Sequence, residues 1–290
     1  MRILVTGASG QLGSYLLKEL SERRANVTAW NREHTGELFG FRLKQVDLSD
    51  QKSTTEAFFE ASPEAVIHLA GQTKVNDCFE NVEAARRINV DATELIAKLS
   101  ESSSARLIFT STDMVFNGER GNYCEDEPTS PLSSYGRSKS DAERFVGDYK
   151  SGLVARMSLM YGVTQSNRPM FFDTLAAKLR AGETSYLFED EWRTPLDLLT
   201  AARLLLSLIE TSETGVMHLG GTERMNRFQM GQRLAKHLGC SQSLIQPMLS
   251  ASAQHTEPRP EDLSLNIDRL RAALPNFVFP SYDEALHQVC

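Results

Sequence analysis

The feature that most constrains the fold of this chain stands at its start. A short apolar run at residues 3–6 stops at Gly7 and continues as Gly7-Ala8-Ser9-Gly10-Gln11-Leu12-Gly13, after which Leu12, Leu16, Leu17 and Leu20 recur at helical spacing. A buried strand passing through GxxGxxG into a helix is a dinucleotide-binding pattern. Gly7 permits the tight turn, Gly10 lets backbone approach a pyrophosphate, and Gly13 lets the helix pack close to the strand. The cofactor is therefore expected along Gly7, Ser9, Gly10, Gln11, Leu12 and Gly13. There the free N–H groups and positive dipole end of the helix favour an anion. No GK[ST] follows the glycines, so this is not a nucleotide triphosphatase loop.

The chain beyond the loop alternates in the same way. Apolar runs at 27–30, 43–46, 65–69, 107–109 and 153–156 read as strands, and helical periodicity covers 82–99 and 134–149. Such alternation builds βαβ units and an α/β fold with a doubly wound parallel sheet. After Gly162 it loosens. The segment 163–195 is polar and mixed, followed by an amphipathic helix over 196–209, a strand over 216–219 and helices near 226–238 and 267–274. The expected division is a dinucleotide-binding lobe over 1–162, with 196–220 returning to it, and a smaller C-terminal substrate-binding lobe over 163–290.

Composition excludes several functions. A net charge of −7 disfavours nucleic acid and anionic membranes as partners. Cys78, Cys124, Cys240 and Cys290 are scattered, with no CxxC pair and no nearby His at ligand spacing, so neither a metal site nor a disulfide framework is expected. With no signal peptide and no apolar run long enough to span a bilayer, the expectation is a cytoplasmic protein.

Two positions suggest the cofactor and the chemistry. The strand over 27–30 ends at Asn31-Arg32, where NAD-selective sites carry an acidic residue. With no carboxylate to repel a 2′-phosphate and Arg32 able to pair with it, NADP(H) is favoured over NAD(H). Tyr135 and Lys139, as YxxxK, share one face of a helix, and Thr112 closes the Thr110-Ser111-Thr112 cluster beyond a strand. Reduction of a ketone leaves an alkoxide that must take a proton. A phenol supplies it, and a nearby ammonium is expected to lower the phenol's pKa by roughly two to three units. Thr112 would hold the substrate oxygen near the phenol. His68 and His218 read as packed core histidines. Lys74, Arg193 and Arg259 are candidates to face the substrate, the arginines as clamps on a pyrophosphate.

Gly7–Gly13 together with Tyr135 and Lys139 resembles the extended short-chain dehydrogenase/reductase family. That resemblance implies a Rossmann lobe. It also implies cofactor contacts at Asp47-Leu48 on the adenine side and in His68-Leu69-Ala70-Gly71, a helix asparagine at Asn89, and a homodimer. Residues 111–118 (STDMVFNG), then Glu125-Asp126-Glu127-Pro128, and later Arg259-Pro260 with Leu263 and Leu265, are similar to the dTDP-4-dehydrorhamnose reductase branch. This implies reduction of a nucleotide-linked 4-keto-6-deoxy sugar with Thr112, Tyr135 and Lys139 as catalytic trio and Asp113 beside the substrate. Met114 stands where sugar dehydratases carry a glutamate, so dehydration is not expected. The branch's tryptophan before the second Tyr-Gly is absent here, where Met160 precedes Tyr161-Gly162. The looser pattern also resembles the regulatory β subunit of methionine adenosyltransferase. An NAD-retaining epimerase and a non-catalytic NADP-binding regulatory subunit of a partner enzyme are therefore the alternatives.

Overall fold

The structure is a computed structural model that describes residues 1–165 and 169–290. Residues 166–168, part of the mixed segment 163–195, lie outside the described residues.

One eight-stranded sheet organises the chain. Across it the strands run Gly215–Leu219, Gly152–Met157, Arg106–Thr112, Ala65–His68, Arg2–Thr6, Asn26–Asn31, Phe41–Gln45 and Gly36–Leu38. Every neighbouring pair is parallel except the last, where Gly36–Leu38 turns back on Phe41–Gln45. This small hairpin, turned at Phe39 and Gly40 with positive φ, went unread because its outer strand is short and exposed.

Successive side chains of a strand point to opposite faces, and the two cores record it. Ile3 and Val5, Ala65 and Ile67, Ile108, and Leu153 and Ala155 enter one core. Leu4, Val66, Leu107 and Phe109, and Val154 enter the other. On the first face the helices Gln11–Glu22 and Leu198–Ile209 pack together through Leu16, Leu17, Leu204 and Leu205. Ile96 and Val146 cover the second face from the helices Ala92–Ser103 and Ser134–Gly147. Each fully buried leucine of this kind stabilises the fold by about 1.5–3 kcal/mol.

Several expectations change in detail. The helix expected over 82–99 runs from Val82 to Ser103, with a π turn at Arg87–Asp91 in its middle. The segment 163–195 contains the helix Phe171–Arg180, with Phe172, Leu175, Ala176 and Leu179 inward and the Asp173 carboxylate accepting from the Met170 N–H at 2.6 Å. A further helix, Tyr282–Val289, closes the chain behind a capping box of Ser281 and Glu284. The strand expected over 107–109 continues to Thr112. His68, the last residue of its strand, is paired with Phe109, so Thr112 overhangs that edge by three residues, roughly 10 Å.

Candidate functional site

The carboxyl ends of the central strands carry the glycine loop, the segment after His68, and Thr112 at one edge. Gly7 has φ +66° and lies so close to the next loop that an added Cβ would stand 2.8 Å from Ala70 N. At Gly13 a Cβ would meet Gly7 O at 2.4 Å and Ala8 O at 2.6 Å, so only glycine lets this helix sit so near the loop. Gly10 is the N-cap, and no side chain caps the first turn. The helix therefore presents the positive end of its dipole at the loop, where an anion is favoured.

A buried network shapes the loop from Leu69 to Gln72. Thr93 Oγ1 donates to Asn89 O at 2.7 Å, so it accepts from His68 Nε2 at 3.1 Å. His68 Nδ1 is then the acceptor for Thr6 Oγ1 at 2.6 Å, and Thr6 Oγ1 accepts from Ala70 N at 3.2 Å. His68 is a neutral core histidine whose pKa burial pushes down to about 3, with Lys139 adding to the effect. Asn89, in the π turn, accepts from Gln72 N at 2.7 Å and donates to Gln72 O at 3.0 Å and Ser138 Oγ at 2.9 Å. One side chain thereby joins the cofactor-side loop to the helix of Tyr135 and Lys139.

Ser133 caps that helix by accepting from Gly136 N at 3.0 Å. The Tyr135 phenol is near Thr112, whose hydroxyl donates to Asp113 Oδ1 at 3.2 Å. Lys139 lies one turn on. Its side chain is buried, with Nζ 4.0 Å from the centre of the Phe109 ring, and no hydrogen bond or ion pair is made by its ammonium among the described residues. Burial lowers its pKa to about 7, partly offset by the Glu143 carboxylate. The expectation that Lys139 draws the Tyr135 phenol toward neutral pH is not met in this structure. Burial, partly offset by the Thr112 hydroxyl and reinforced by Asp113, raises the phenol instead, so Tyr135 holds its proton.

The remaining candidates sort by position. Asn31 is buried, and its amide shapes a turn, accepting from His34 N at 2.5 Å and Glu33 N at 3.1 Å and donating to His34 O at 2.6 Å. The Arg32 side chain is 56% exposed and pairs with Glu33. Asp47 turns onto Ser49, accepting from its N at 3.0 Å and its Oγ at 2.7 Å, which holds its carboxyl below the usual range, and Leu48 is half-buried beside it. Gly71 sits against Asn89, and an added Cβ would stand 3.9 Å from Lys139 Nζ. Lys74 is not brought to the site: its side chain is 82% exposed and pairs weakly with Asp77 at 4.0 Å. Asp113 is buried, accepts from Ser158 Oγ at 3.4 Å, and lies 3.8 Å from Arg193 Nε. Arg193 is not an open clamp, because Nη1 donates to Trp192 O at 2.6 Å and Glu261 O at 3.3 Å, and Nη2 to Pro260 O at 3.3 Å. Arg259 is half-buried and makes no ion pair or hydrogen bond among the described residues.

Sequence reasoning missed Arg227. Its guanidinium lies 5.1 Å from the centre of the Phe171 ring and 3.8 Å from Glu191, within electrostatic reach of Arg193, Arg259 and Asp113. The only sequence signal was its place at the start of a helix behind the Asn226–Gln229 capping box. Also missed was the buried Arg156–Glu143 pair at 2.8 Å, in which Glu143 also accepts from Ser111 Oγ at 2.5 Å behind Lys139.

These parts fit a dinucleotide. The glycines keep side chains away from the loop backbone where a pyrophosphate would lie, and the Lys139 ammonium makes no hydrogen bond among the described residues. Ribose hydroxyls of a bound nucleotide would be acceptors for it.

Comparison with known proteins identifies the family. The RmlD substrate binding domain family matches residues 1–290. A probable low-salt glycan biosynthesis reductase of Haloferax volcanii is 30% identical over 94% of this chain and 92% of its own length. The methionine adenosyltransferase 2 subunit beta of Bos taurus is 26% identical over 93% of this chain and 81% of its own. A crystal structure of dTDP-4-dehydrorhamnose reductase from Bacillus anthracis in complex with NADP superposes with a TM-score of 0.87 at 25% identity, covering 99% of this chain and 98% of that one. The chain belongs to the RmlD substrate binding domain family.

Proposed function

We propose, from this family membership and the site, that the protein is an NADP(H)-dependent reductase of a nucleotide-linked 4-keto-6-deoxy sugar, of the dTDP-4-dehydrorhamnose type. The observation that carries the reading is that Tyr135 and Lys139, one helical turn apart, stand beside Thr112 at the strand end and Gly71 of the cofactor-side loop. A pure scaffold has no use for such a buried set, whereas proton delivery to a carbonyl oxygen requires it.

The nicotinamide supplies hydride when bound. Gly7, Ser9, Gly10, Gln11, Leu12 and Gly13 hold its pyrophosphate. Asn31, Arg32, Asp47 and Leu48 lie toward the adenosine half, and Ala70, Gly71, Tyr135 and Lys139 toward the ribose of the nicotinamide. Thr112 orients the substrate oxygen, and Tyr135 gives its proton to that oxygen as negative charge develops. Lys139 stabilises the phenolate that remains. Asp113, fixed by Ser158 and Arg193, keeps Thr112 in place. Arg227 and Arg259 face the sugar nucleotide's diphosphate with donors that no backbone group has taken. Division of the chain into a cofactor lobe over 1–162 with 196–220 and a substrate lobe over the rest of 163–290 is consistent with this. The strand Gly215–Leu219 joins the main sheet, while Arg227 and Arg259 stand outside it.

The test is NADPH oxidation with dTDP-4-dehydrorhamnose. Tyr135→Phe is expected to lower kcat by about 10²- to 10⁴-fold while NADPH binding persists. Full activity in Tyr135→Phe removes the phenol from the chemistry. Absence of turnover in the wild type, with NADPH bound, moves the protein to an epimerase or a regulatory subunit.

A further inference from the structure

The chain over 253–262 crosses from the C-terminal elements to the helix of Tyr135. Thr256 Oγ1 donates to Asn76 Oδ1 at 2.9 Å. Glu257 follows and is buried. Its Oε1 accepts three hydrogen bonds, from Ser134 N at 2.8 Å, Ser134 Oγ at 2.8 Å and Arg137 Nη2 at 3.1 Å. Ser134 is the first residue of the helix and the neighbour of Tyr135. First-turn N–H groups have no partner within a helix, and a carboxylate there also meets the positive end of the dipole. Glu257 therefore caps this helix in trans, beside the local cap from Ser133.

The turn it holds has no slack. A Cβ at Gly136 would stand 2.2 Å from Met114 O, so the helix start is pressed onto the segment after Thr112. Tyr135 is set between that contact and the Glu257 carboxylate. A single residue, Pro258, separates Glu257 from Arg259. In Glu257-Pro258-Arg259-Pro260 the φ of both prolines is fixed, which narrows the motions open to Arg259 relative to Glu257. Oε2 of Glu257 is buried with no hydrogen-bond partner among the described residues. A carboxylate buried with one oxygen unsatisfied is a poor way to gain stability, which directs attention to what its other oxygen positions.

We propose that Glu257 is a positioning residue that couples occupation of the arginine-lined side of the cleft to the placement of Tyr135. The coupling rests on the reductase reading for its catalytic consequence, but not for its existence.

The experiment compares wild type, Glu257→Gln and Glu257→Ala in two readouts. In turnover, Glu257→Ala is expected to lose about 10- to 100-fold in kcat, with the KM for the sugar nucleotide and the Kd for NADPH changed less than about threefold. Glu257→Gln, which keeps a carbonyl acceptor for Ser134, is expected to recover most of the loss. In amide hydrogen exchange, dTDP added to the wild type is expected to slow the Ser134–Gly136 amides, and this slowing is expected to vanish in Glu257→Ala. Unchanged kcat in Glu257→Ala overturns the proposal. So does slowing by dTDP that is equal in wild type and Glu257→Ala, or absent from the wild type. A wild type with no turnover defeats the reductase reading alone, and the exchange data still decide the coupling.

Discussion

The two sides of the cleft are built on different principles. On the glycine side, recognition is a matter of backbone shape. Gly7 and Gly13 approach neighbouring backbone within distances that no Cβ tolerates, and the Lys139 ammonium makes no hydrogen bond among the described residues. On the arginine side, recognition is a matter of charge carried by long side chains. Arg193 is spent on backbone carbonyls, whereas Arg227 faces the Glu191 carboxylate at 3.8 Å and gives no donor to backbone among the described residues. Shape recognition leaves few acceptable sequences. Charge recognition leaves many, since a guanidinium can reach the same anion from several positions. The cofactor half of such a protein is therefore expected to stay fixed while the substrate half drifts.

That contrast can be broken most sharply at Gly13. Gly13→Val places atoms where the loop backbone already is. It is expected to weaken NADPH binding by more than about 100-fold and to destabilise the fold by about 1–3 kcal/mol, read by fluorescence titration and denaturant unfolding. Tight NADPH binding in this variant would mean that the loop is soft and the contrast misplaced. A smaller and more selective effect is expected from Arg227→Ala. Loss of a charge-assisted contact worth about 1.5–3 kcal/mol raises the KM for the sugar nucleotide about 10- to 100-fold, while the Kd for NADPH holds. Equal losses in both would erase the distinction between the two sides.

A third effect concerns Lys139 in the cofactor-free protein. Its folded pKa, about 7, is below the ordinary lysine value of 10.5. Between these values the unfolded chain binds the extra proton. Stability therefore rises with pH from about 7 toward 10.5, by at most about 1.4 kcal/mol per pH unit, and this contribution is absent below 7. Denaturant unfolding of the wild type from pH 7 to 9 is expected to show this rise, and Lys139→Met to lack it. The same slope in both proteins would place the titration elsewhere.

The legibility of the chain follows the same division. Strand and helix periods near the N-terminus were readable because each strand serves two cores and must alternate without error, as Ile3, Leu4 and Val5 do. The helix Phe171–Arg180 was overlooked although Phe172, Leu175, Ala176 and Leu179 repeat correctly, since one turn of polar residues on either side masked a short element. Ser281 and Glu284 announced the last helix by a capping box that was not used. At the site, Tyr135, Lys139 and Thr112 were legible as a local pair and a strand end. Arg227 and Glu257 were not, because nothing near either in the chain distinguishes it from a surface charge.

The sequence alone determined the local geometry: where φ must be positive, which helix faces are apolar, and that a phenol and an ammonium share one face. These depend on neighbours within a few residues. Tertiary structure decided the electrostatics and the long-range contacts. Burial raised the Tyr135 phenol and lowered Lys139, carbonyls 67 residues and more away in the chain claimed Arg193, and Glu257 reached across 123 residues to Ser134. The reason is physical: desolvation and partner choice belong to the space around a group, and that space is filled by residues the local sequence does not contain.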